Sequence, residues 1–200
     1  MIQAPFLHPY FWRLLSLMKE HDIRFTIMGN PFYLNDQVCM ELKGYGCEKY
    51  QLSIDGLRET HDWFRKPGSF DCTLEKIECI NKAGIRSVIM TTVSKTNRME
   101  VPGIIDEVVK AGANVFAFSR YVPSGCELDA SMTAQEYREL LAICDKKFKE
   151  YEAKGCKTYF NKKADIQSEN IRTNRSVVRI LRRSLKREIL LLMQAADNEA

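Results

Sequence analysis

Two patterns of apolar residues alternate along the chain. Short runs of successive apolar and β-branched residues predict strands that are buried on both faces. The predicted strands cover residues 23–28, 49–54, 87–93 and 114–119. Between them, apolar residues at helical spacing predict helices that glycines terminate. These glycines are Gly44, Gly84, Gly112 and Gly155. The strand starts follow one another at close to the roughly 30 residues of a βαβ unit, so the chain is predicted to be an α/β protein with a parallel sheet.

The local signals refine this prediction. A helix is predicted over residues 8–21, and a polar loop after Gly56 is predicted to continue to about Asp71. Thr133 and Glu136 form a capping box that starts a helix reaching Lys154. Periodicity alone leaves two architectures open, a doubly wound sheet and a barrel. The chain has neither GxGxxG nor GxxxxGK[ST], the usual markers of nucleotide-binding open sheets.

The C-terminal part of the chain has a different pattern. From about residue 164 the alternation of strand and helix stops, and residues 171–194 hold seven Lys and Arg against one acid, Glu188. Apolar residues share one helical face there, which predicts a basic amphipathic helix. Such a helix suits a membrane surface, RNA or a partner helix, but a solvated surface helix or a tail foreign to the fold is favoured. The predicted domains are therefore a barrel over 1–163 and a peripheral helical tail over 164–200.

Composition narrows the functional classes. The net charge of +4 is too small to indicate nucleic acid, and no export signal or apolar run of membrane-spanning length is present, so a cytoplasmic protein is expected. No two of the seven cysteines are close enough for a CxxC metal or redox motif, and free thiols packed as small apolar groups are predicted. The cysteines are Cys39, Cys47, Cys72, Cys79, Cys126, Cys144 and Cys156.

Functional residues are expected at the carboxyl ends of the strands, as in parallel barrels and open sheets alike. The residues found there are small and polar, and the chain has no HExxH or Ser/His/Asp arrangement. His8, His21 and His61 are dispersed and are predicted to be surface or capping residues. Lys95 allows a minor alternative, an aldolase-like barrel that forms a Schiff base.

Four segments of the chain resemble the radical S-adenosylmethionine (SAM) family, in the family's order and spacing. They are PFLHP at residues 5–9, QLSIDG at 51–56, HDWFRKPGSFD at 61–71, and AGI at 83–85 followed by VIMTTV at 88–93. The likeness covers residues 5–160 and is greatest to the peptide-modifying branch, which carries an additional cluster-binding SPASM domain. It implies a partial (β/α) TIM-like barrel, a peptide substrate, and SAM with a [4Fe–4S] cluster as cofactors. In that family the cluster reduces SAM to a 5′-deoxyadenosyl radical, which abstracts hydrogen from the substrate.

The chain departs from the family pattern at three places. The CxxxCxxC motif that binds the cluster is absent, and the family's Gly-Gly-Glu-Pro stands here as Ile2-Gln3-Ala4-Pro5. Side chains at residues 2 and 3 would obstruct the approach to the SAM amino group. A basic tail stands where the SPASM domain would follow. The expectation is a fragment of a radical SAM enzyme that is inactive alone and binds no metal itself.

The resemblance also implies the residues that line the SAM pocket, with no catalytic residue assigned. They are Ser53, Asp55, Arg65, Asn97 and Arg120. Each has a structural alternative, such as an Asx-type turn at Asp55 or an ion pair from Arg120 to Glu127 or Asp129. A non-catalytic scaffold that holds a peptide or an anionic partner is the alternative function.

Overall fold

Five parallel strands form a single sheet in the order of the sequence. A computed structural model describes residues 8–123 and 130–161. The strands are β1 (Phe25–Met28), β2 (Cys47–Ser53), β3 (Arg86–Val93), β4 (Val115–Arg120) and β5 (Tyr159–Phe160). Each pairs in parallel with the next, in the order β1-β2-β3-β4-β5. A doubly wound sheet reverses its strand order and this one does not, so the predicted barrel-type α/β fold is confirmed.

Helices connect successive strands, and most of them lie where the apolar spacing predicts. They are α1 (Phe11–Glu20), α2 (Asp36–Gly44), α3 (Arg58–Phe64), α4 (Ser69–Lys82), α5 (Val101–Lys110) and α6 (Ala134–Ala153). The capping box is confirmed, because Thr133 and Glu136 exchange side-chain and backbone hydrogen bonds at the start of α6. Gly112 follows α5 with φ of 75°, a left-handed conformation that glycine adopts without strain.

Two elements differ from the prediction. Helix α3 occupies the segment predicted to be a polar loop, and β5 is a two-residue strand that no periodic pattern predicts. These segments are short or polar, so local periodicity carries little information about them.

One face of the sheet packs on the helices and forms the core. Tyr50, Leu52 and Ile89 on that face are fully buried, together with Ile77 of α4 and Ile104 of α5. Because side chains alternate along a strand, the next residues lie on the opposite face. Ser53 and Met90 are register partners on this second face and are only partly buried, so polar groups at its carboxyl end remain accessible.

Several predictions concern residues that the structure does not describe. The tail over 164–200 and the obstruction by Ile2 and Gln3 lie outside the described residues, as do Cys126, Glu127 and Asp129. Those predictions therefore remain predictions. Within residues 8–123 and 130–161, no helix combines the length and apolar character needed to cross a bilayer.

Candidate functional site

Asp55 stands at the carboxyl end of β2 and joins three elements. Its Oδ1 accepts the backbone N–H of Thr92 in β3 at 3.0 Å. Its Oδ2 accepts Nε of Arg65 at 3.0 Å and also bonds Nη2 of the same guanidinium. The Asp55 side chain is 12% exposed and that of Arg65 48%, so the ion pair is half shielded from water. Asp55 thus links β2 to β3 and to Arg65, the residue after α3. These contacts go beyond the Asx-type turn that was the structural alternative for Asp55.

Asn97 completes this junction from the loop after β3. Its Nδ2 donates to the carbonyl oxygens of Asp55 at 2.7 Å and Thr92 at 2.9 Å. Its Oδ1 accepts the N–H of Ser94 at 2.8 Å. Both ends of the buried amide are therefore used within the protein, as buried polar groups require.

His61 was predicted to be a surface or capping residue, and the structure places it in the interior next to the same strand end. Its side chain is 1% exposed, and its Nδ1 accepts the backbone N–H of Asp55 at 3.0 Å. A nitrogen that accepts an N–H carries no proton, so the imidazole is the neutral tautomer protonated at Nε2. Burial lowers the pKa of His61, with a smaller contribution from the Arg65 charge.

Two carboxylates organise the helices that follow β2. Asp62 accepts the backbone N–H groups of Gly68 at 2.7 Å and Phe70 at 2.8 Å, which caps the start of α4. Burial opposes ionisation of Asp62, but these hydrogen bonds lower its pKa overall. Glu100, from the turn before α5, accepts the N–H of Leu57 and the hydroxyl of Thr60, each at 2.6 Å. No motif in the sequence had pointed to a role for Asp62 or Glu100.

Ser53 differs from the other four residues implied to bind SAM. Within the described residues, its hydroxyl makes no hydrogen bond, and it is partly exposed at the end of β2. Thr92, two residues beyond Ser53's partner Met90, is exposed on the same face of the sheet. A free hydroxyl group in this place can donate to a ligand and accept from it.

Arg120 lies two strands away from Ser53, at the end of β4. Its Nη2 donates to the carbonyl oxygen of Met132 at 2.6 Å, and its guanidinium lies 5.9 Å from the centre of the Tyr137 ring. These contacts hold the segment that leads into α6. The structure therefore brings Asp55, Arg65 and Asn97 together and leaves Arg120 apart.

The implied cofactors can be tested against these donors. Ser53 suits a contact to a polar ligand such as SAM, because its hydroxyl is accessible and unengaged. Asp55 and Asn97 do not suit that role, since their polar atoms are engaged within the protein. Lys95 is exposed and so lacks the desolvated setting that activates a Schiff-base lysine.

The cluster does not fit the described cysteines. No group of three or more His, Cys, Asp or Glu in residues 8–123 and 130–161 is arranged to hold a metal ion. Burial raises the pKa of Cys39 and Cys144 to about 12 and that of Cys47 to about 11, which keeps these thiols protonated. A cluster needs thiolates, so the described cysteines do not fit one.

Two surface cavities lie away from this site. Cavities of about 340 and 540 Å³ open around Gly46 and Arg86, at the amino ends of β2 and β3. Parallel barrels carry their chemistry at the opposite end. The junction around Asp55 is therefore the better candidate for a functional site.

The chain is similar to several proteins of known type. It is 32% identical over 123 residues to the AdoMet-dependent heme synthase of Methanosarcina barkeri, covering 60% of this chain and 35% of that protein. It is 27% identical over 116 residues to the sporulation killing factor maturation protein SkfB of Bacillus subtilis, covering 58% and 28%. The matches thus extend over about a third of the length of these relatives.

The chain also resembles a solved structure and matches a family model. The structure of Streptococcus suis SuiB bound to S-adenosylmethionine superposes with a TM-score of 0.61 at 15% identity, over 79% of this chain and 37% of SuiB. At that identity the likeness concerns the fold. The model of the radical SAM superfamily matches residues 2–114, more than half of the 200 residues. The chain belongs to the radical SAM superfamily.

Proposed function

We propose that this chain is the SAM-binding barrel portion of a radical SAM enzyme whose substrate is a peptide. The observation that carries the proposal is the carboxyl end of β2, where the free Ser53 hydroxyl stands beside a junction that Asp55, Arg65, His61 and Asn97 hold rigid. Membership of the superfamily supports SAM as the ligand. The name of the relative SkfB, a maturation protein, supports a peptide.

The residues of the site divide into two roles under this proposal. Ser53 binds SAM through its hydroxyl, and SAM when bound supplies the adenosyl group for radical chemistry. Asp55, Arg65 and Asn97 are positioning residues, since they fix the strand end that presents Ser53. His61 holds the backbone of Asp55 in place by accepting its N–H at Nδ1, which requires the neutral imidazole.

A tetrapyrrole is the second candidate substrate. It is favoured by the 32% identity to a protein named AdoMet-dependent heme synthase. Both candidates share the SAM site and differ in the substrate, so substrate binding must decide between them. The non-catalytic scaffold remains the alternative if the chain binds no SAM.

We further propose that the chain alone does not cleave SAM. Cleavage needs an electron from a cluster, and the sequence has no CxxxCxxC motif to assemble one. The described cysteines support this, because Cys39, Cys79 and Cys144 lie in helices on the outer side of the sheet. Their thiols do not converge at the carboxyl end.

Two measurements test these proposals. Equilibrium dialysis with labelled SAM should show binding that Ser53→Ala weakens, and the absence of any binding would favour the scaffold. Anaerobic reconstitution with iron and sulfide, followed by SAM and dithionite, should yield no 5′-deoxyadenosine above a control without protein. Product above that control would contradict the proposed inactivity and leave the SAM site standing.

A further inference from the structure

Large apolar side chains are exposed around the carboxyl end of the sheet. Six of them define what we call the apolar rim: Phe32, Tyr33, Trp63, Phe64, Met99 and Val122. They belong to the segments that follow β1, β2, β3 and β4. Trp63 is 77% exposed and Val122 78%, which is far from the usual burial of such residues. Exposed apolar groups concentrated at one end of a fold are typical of an interaction surface.

The aromatic part of the apolar rim is organised by direct contacts. The rings of Trp63 and Phe64 meet edge to face with centroids 4.9 Å apart. The Lys66 ammonium lies 3.2 Å from the centre of the Phe32 ring, which joins the loop after β1 to the segment after β2. The loop after β1 and the segment after β2 therefore meet at this end of the sheet, through Lys66 and Phe32.

The length of the apolar rim indicates the shape of its ligand. Four neighbouring strands at about 4.8 Å spacing place their following segments along roughly 14 Å. An extended peptide advances about 3.3 Å per residue, so some four or five residues span that length. Separate apolar contacts from four loops suit side chains spaced along a peptide better than one planar ring.

Charge narrows the choice of peptide. The carboxylates of Asp55, Asp62 and Glu100 at this end are engaged inside the protein. Lys66 and Lys95 make no ion pair with a carboxylate in the described part of the chain, and both are exposed. Asp36 and Glu59 are also exposed, at the starts of α2 and α3, but the ammonium of Lys66 lies within the rim itself. An acidic residue among the apolar ones would pair with it.

We propose that the apolar rim docks an extended peptide segment that carries large apolar side chains and at least one carboxylate. Trp63 and Phe64 are the anchor, and Lys66 receives the acidic residue. The inference rests on the proposed function, because it names the class of peptide that this end of the barrel takes. Docking itself requires neither SAM nor a cluster, so it can be measured apart from the chemistry.

The test uses the full chain without SAM and three fluorescein-labelled ten-residue peptides. The first alternates glutamate with phenylalanine and leucine, the second replaces the apolar residues by serine, and the third replaces glutamate by glutamine. Fluorescence anisotropy should show binding of the first peptide, weakened about tenfold by Trp63→Ser, the loss expected for an anchor side chain. The serine peptide should bind at least tenfold more weakly. Lys66→Gln should weaken the binding of the glutamate peptide and leave the binding of the glutamine peptide unchanged.

Matched controls decide the outcome. Met40 is exposed on α2, so Met40→Ser removes a comparable apolar group away from the rim and should leave binding unchanged. Equal effects of Met40→Ser and Trp63→Ser, or no effect of either, would overturn the proposal. It would also be overturned if Trp63→Ser weakened the binding of a tetrapyrrole, with coproporphyrin III as the probe, and did not weaken the binding of the peptides. If the natural chain bound SAM but none of the peptides, the docking proposal would be wrong and the proposed SAM site would be unaffected.

Discussion

The backbone N–H of Asp55 donates to Nδ1 of His61 across 3.0 Å, and the imidazole that accepts it is almost fully buried. Only the imidazole with a free lone pair at Nδ1 can make this bond. Protonation of Nδ1 would remove the bond and leave a charge next to the ring of Phe70, whose centre is 6.0 Å away. The junction therefore depends on a neutral histidine.

Stability should consequently fall as the solution becomes mildly acidic. The pKa of His61 in the folded protein lies below its ordinary value of 6.5, so the unfolded chain binds a proton more readily. The contribution of His61 is fully present above about pH 6.5 and is lost as the pH falls from there towards the lower folded-state pKa. Urea unfolding between pH 7.5 and 5 should show this decline.

His61→Asn tests the assignment, because its Oδ1 takes the place of Nδ1 and can accept the same N–H but does not titrate. The pH dependence of the urea midpoint between pH 6.5 and 5 should be shallower in this variant. His21→Asn changes an exposed histidine and should retain the slope of the natural protein. A slope that His61→Asn leaves unaltered would show that another group controls the decline.

The sequence predicted those parts of the fold that local patterns encode. Strands β1 to β4 and helices α4 to α6 follow from apolar spacing and from glycines at helix ends. The rule that carboxyl ends of parallel strands meet predicted functional residues at that end of the sheet, and Asp55 and Asn97 do meet there, although they are 42 residues apart. Position at the strand end was predictable because it depends on the order of elements alone.

The roles of these residues were not predictable in the same way. Whether Asp55 binds a ligand depends on which of its lone pairs are already used, and its partners Thr92 and Arg65 come from other elements. Helix α3 was missed because the segment is polar and its N-terminus is stabilised by Glu100, about 40 residues further along. His61 was predicted to be a surface or capping residue because nothing in its local sequence shows that the fold buries it.

Glu100 should therefore control the stability of α3. The helix has no side-chain cap of its own, and the Glu100 carboxylate accepts both the N–H of its N-cap residue Leu57 and the Thr60 hydroxyl. Glu100→Ala should lower the free energy of unfolding by about 1–2 kcal/mol, the usual range for a lost cap. Urea unfolding measures this loss, and hydrogen exchange should show faster exchange of the Leu57 amide.

The specific control is Glu107→Ala in α5, which removes a carboxylate without a described hydrogen bond. Glu107→Ala should change the free energy of unfolding by less than about 0.5 kcal/mol, as surface substitutions without specific contacts usually do. Unchanged exchange at Leu57 in Glu100→Ala would contradict the capping role.

Removal of residues 164–200 should leave the thermal transition little changed. The prediction comes from the sequence, where the β/α alternation stops before a basic amphipathic segment. It is consistent with the described core, whose buried apolar residues run from Leu15 to Phe160. Differential scanning calorimetry of the full and shortened chains would measure the transition. A drop of more than about 5 °C, equivalent to roughly 2 kcal/mol for a chain of this size, would show that the tail supports the barrel.

Ser53→Ala and Asp55→Asn should separate ligand binding from support of the fold. In Asp55→Asn the amide oxygen could still accept the N–H of Thr92, but the uncharged NH₂ group would then face Arg65, so the ion pair would be lost. Because Arg65 is half exposed, a loss of about 2 kcal/mol in unfolding free energy is expected, at the low end for a broken shielded pair. Ser53→Ala removes an unengaged, partly exposed hydroxyl and should change stability by less than about 0.5 kcal/mol.

Ser53→Ala should have the larger effect of the two variants when SAM binding is measured in place of stability. Loss of a ligand hydrogen bond worth about 1 kcal/mol corresponds to a roughly fivefold larger dissociation constant for Ser53→Ala. Asp55→Asn, assayed well below its melting temperature, should bind SAM within about twofold of the natural protein, because its side chain is engaged inside the junction. If Asp55→Asn abolished binding in a folded protein while Ser53→Ala retained it, the carboxylate would be the SAM contact and the two assigned roles would be exchanged.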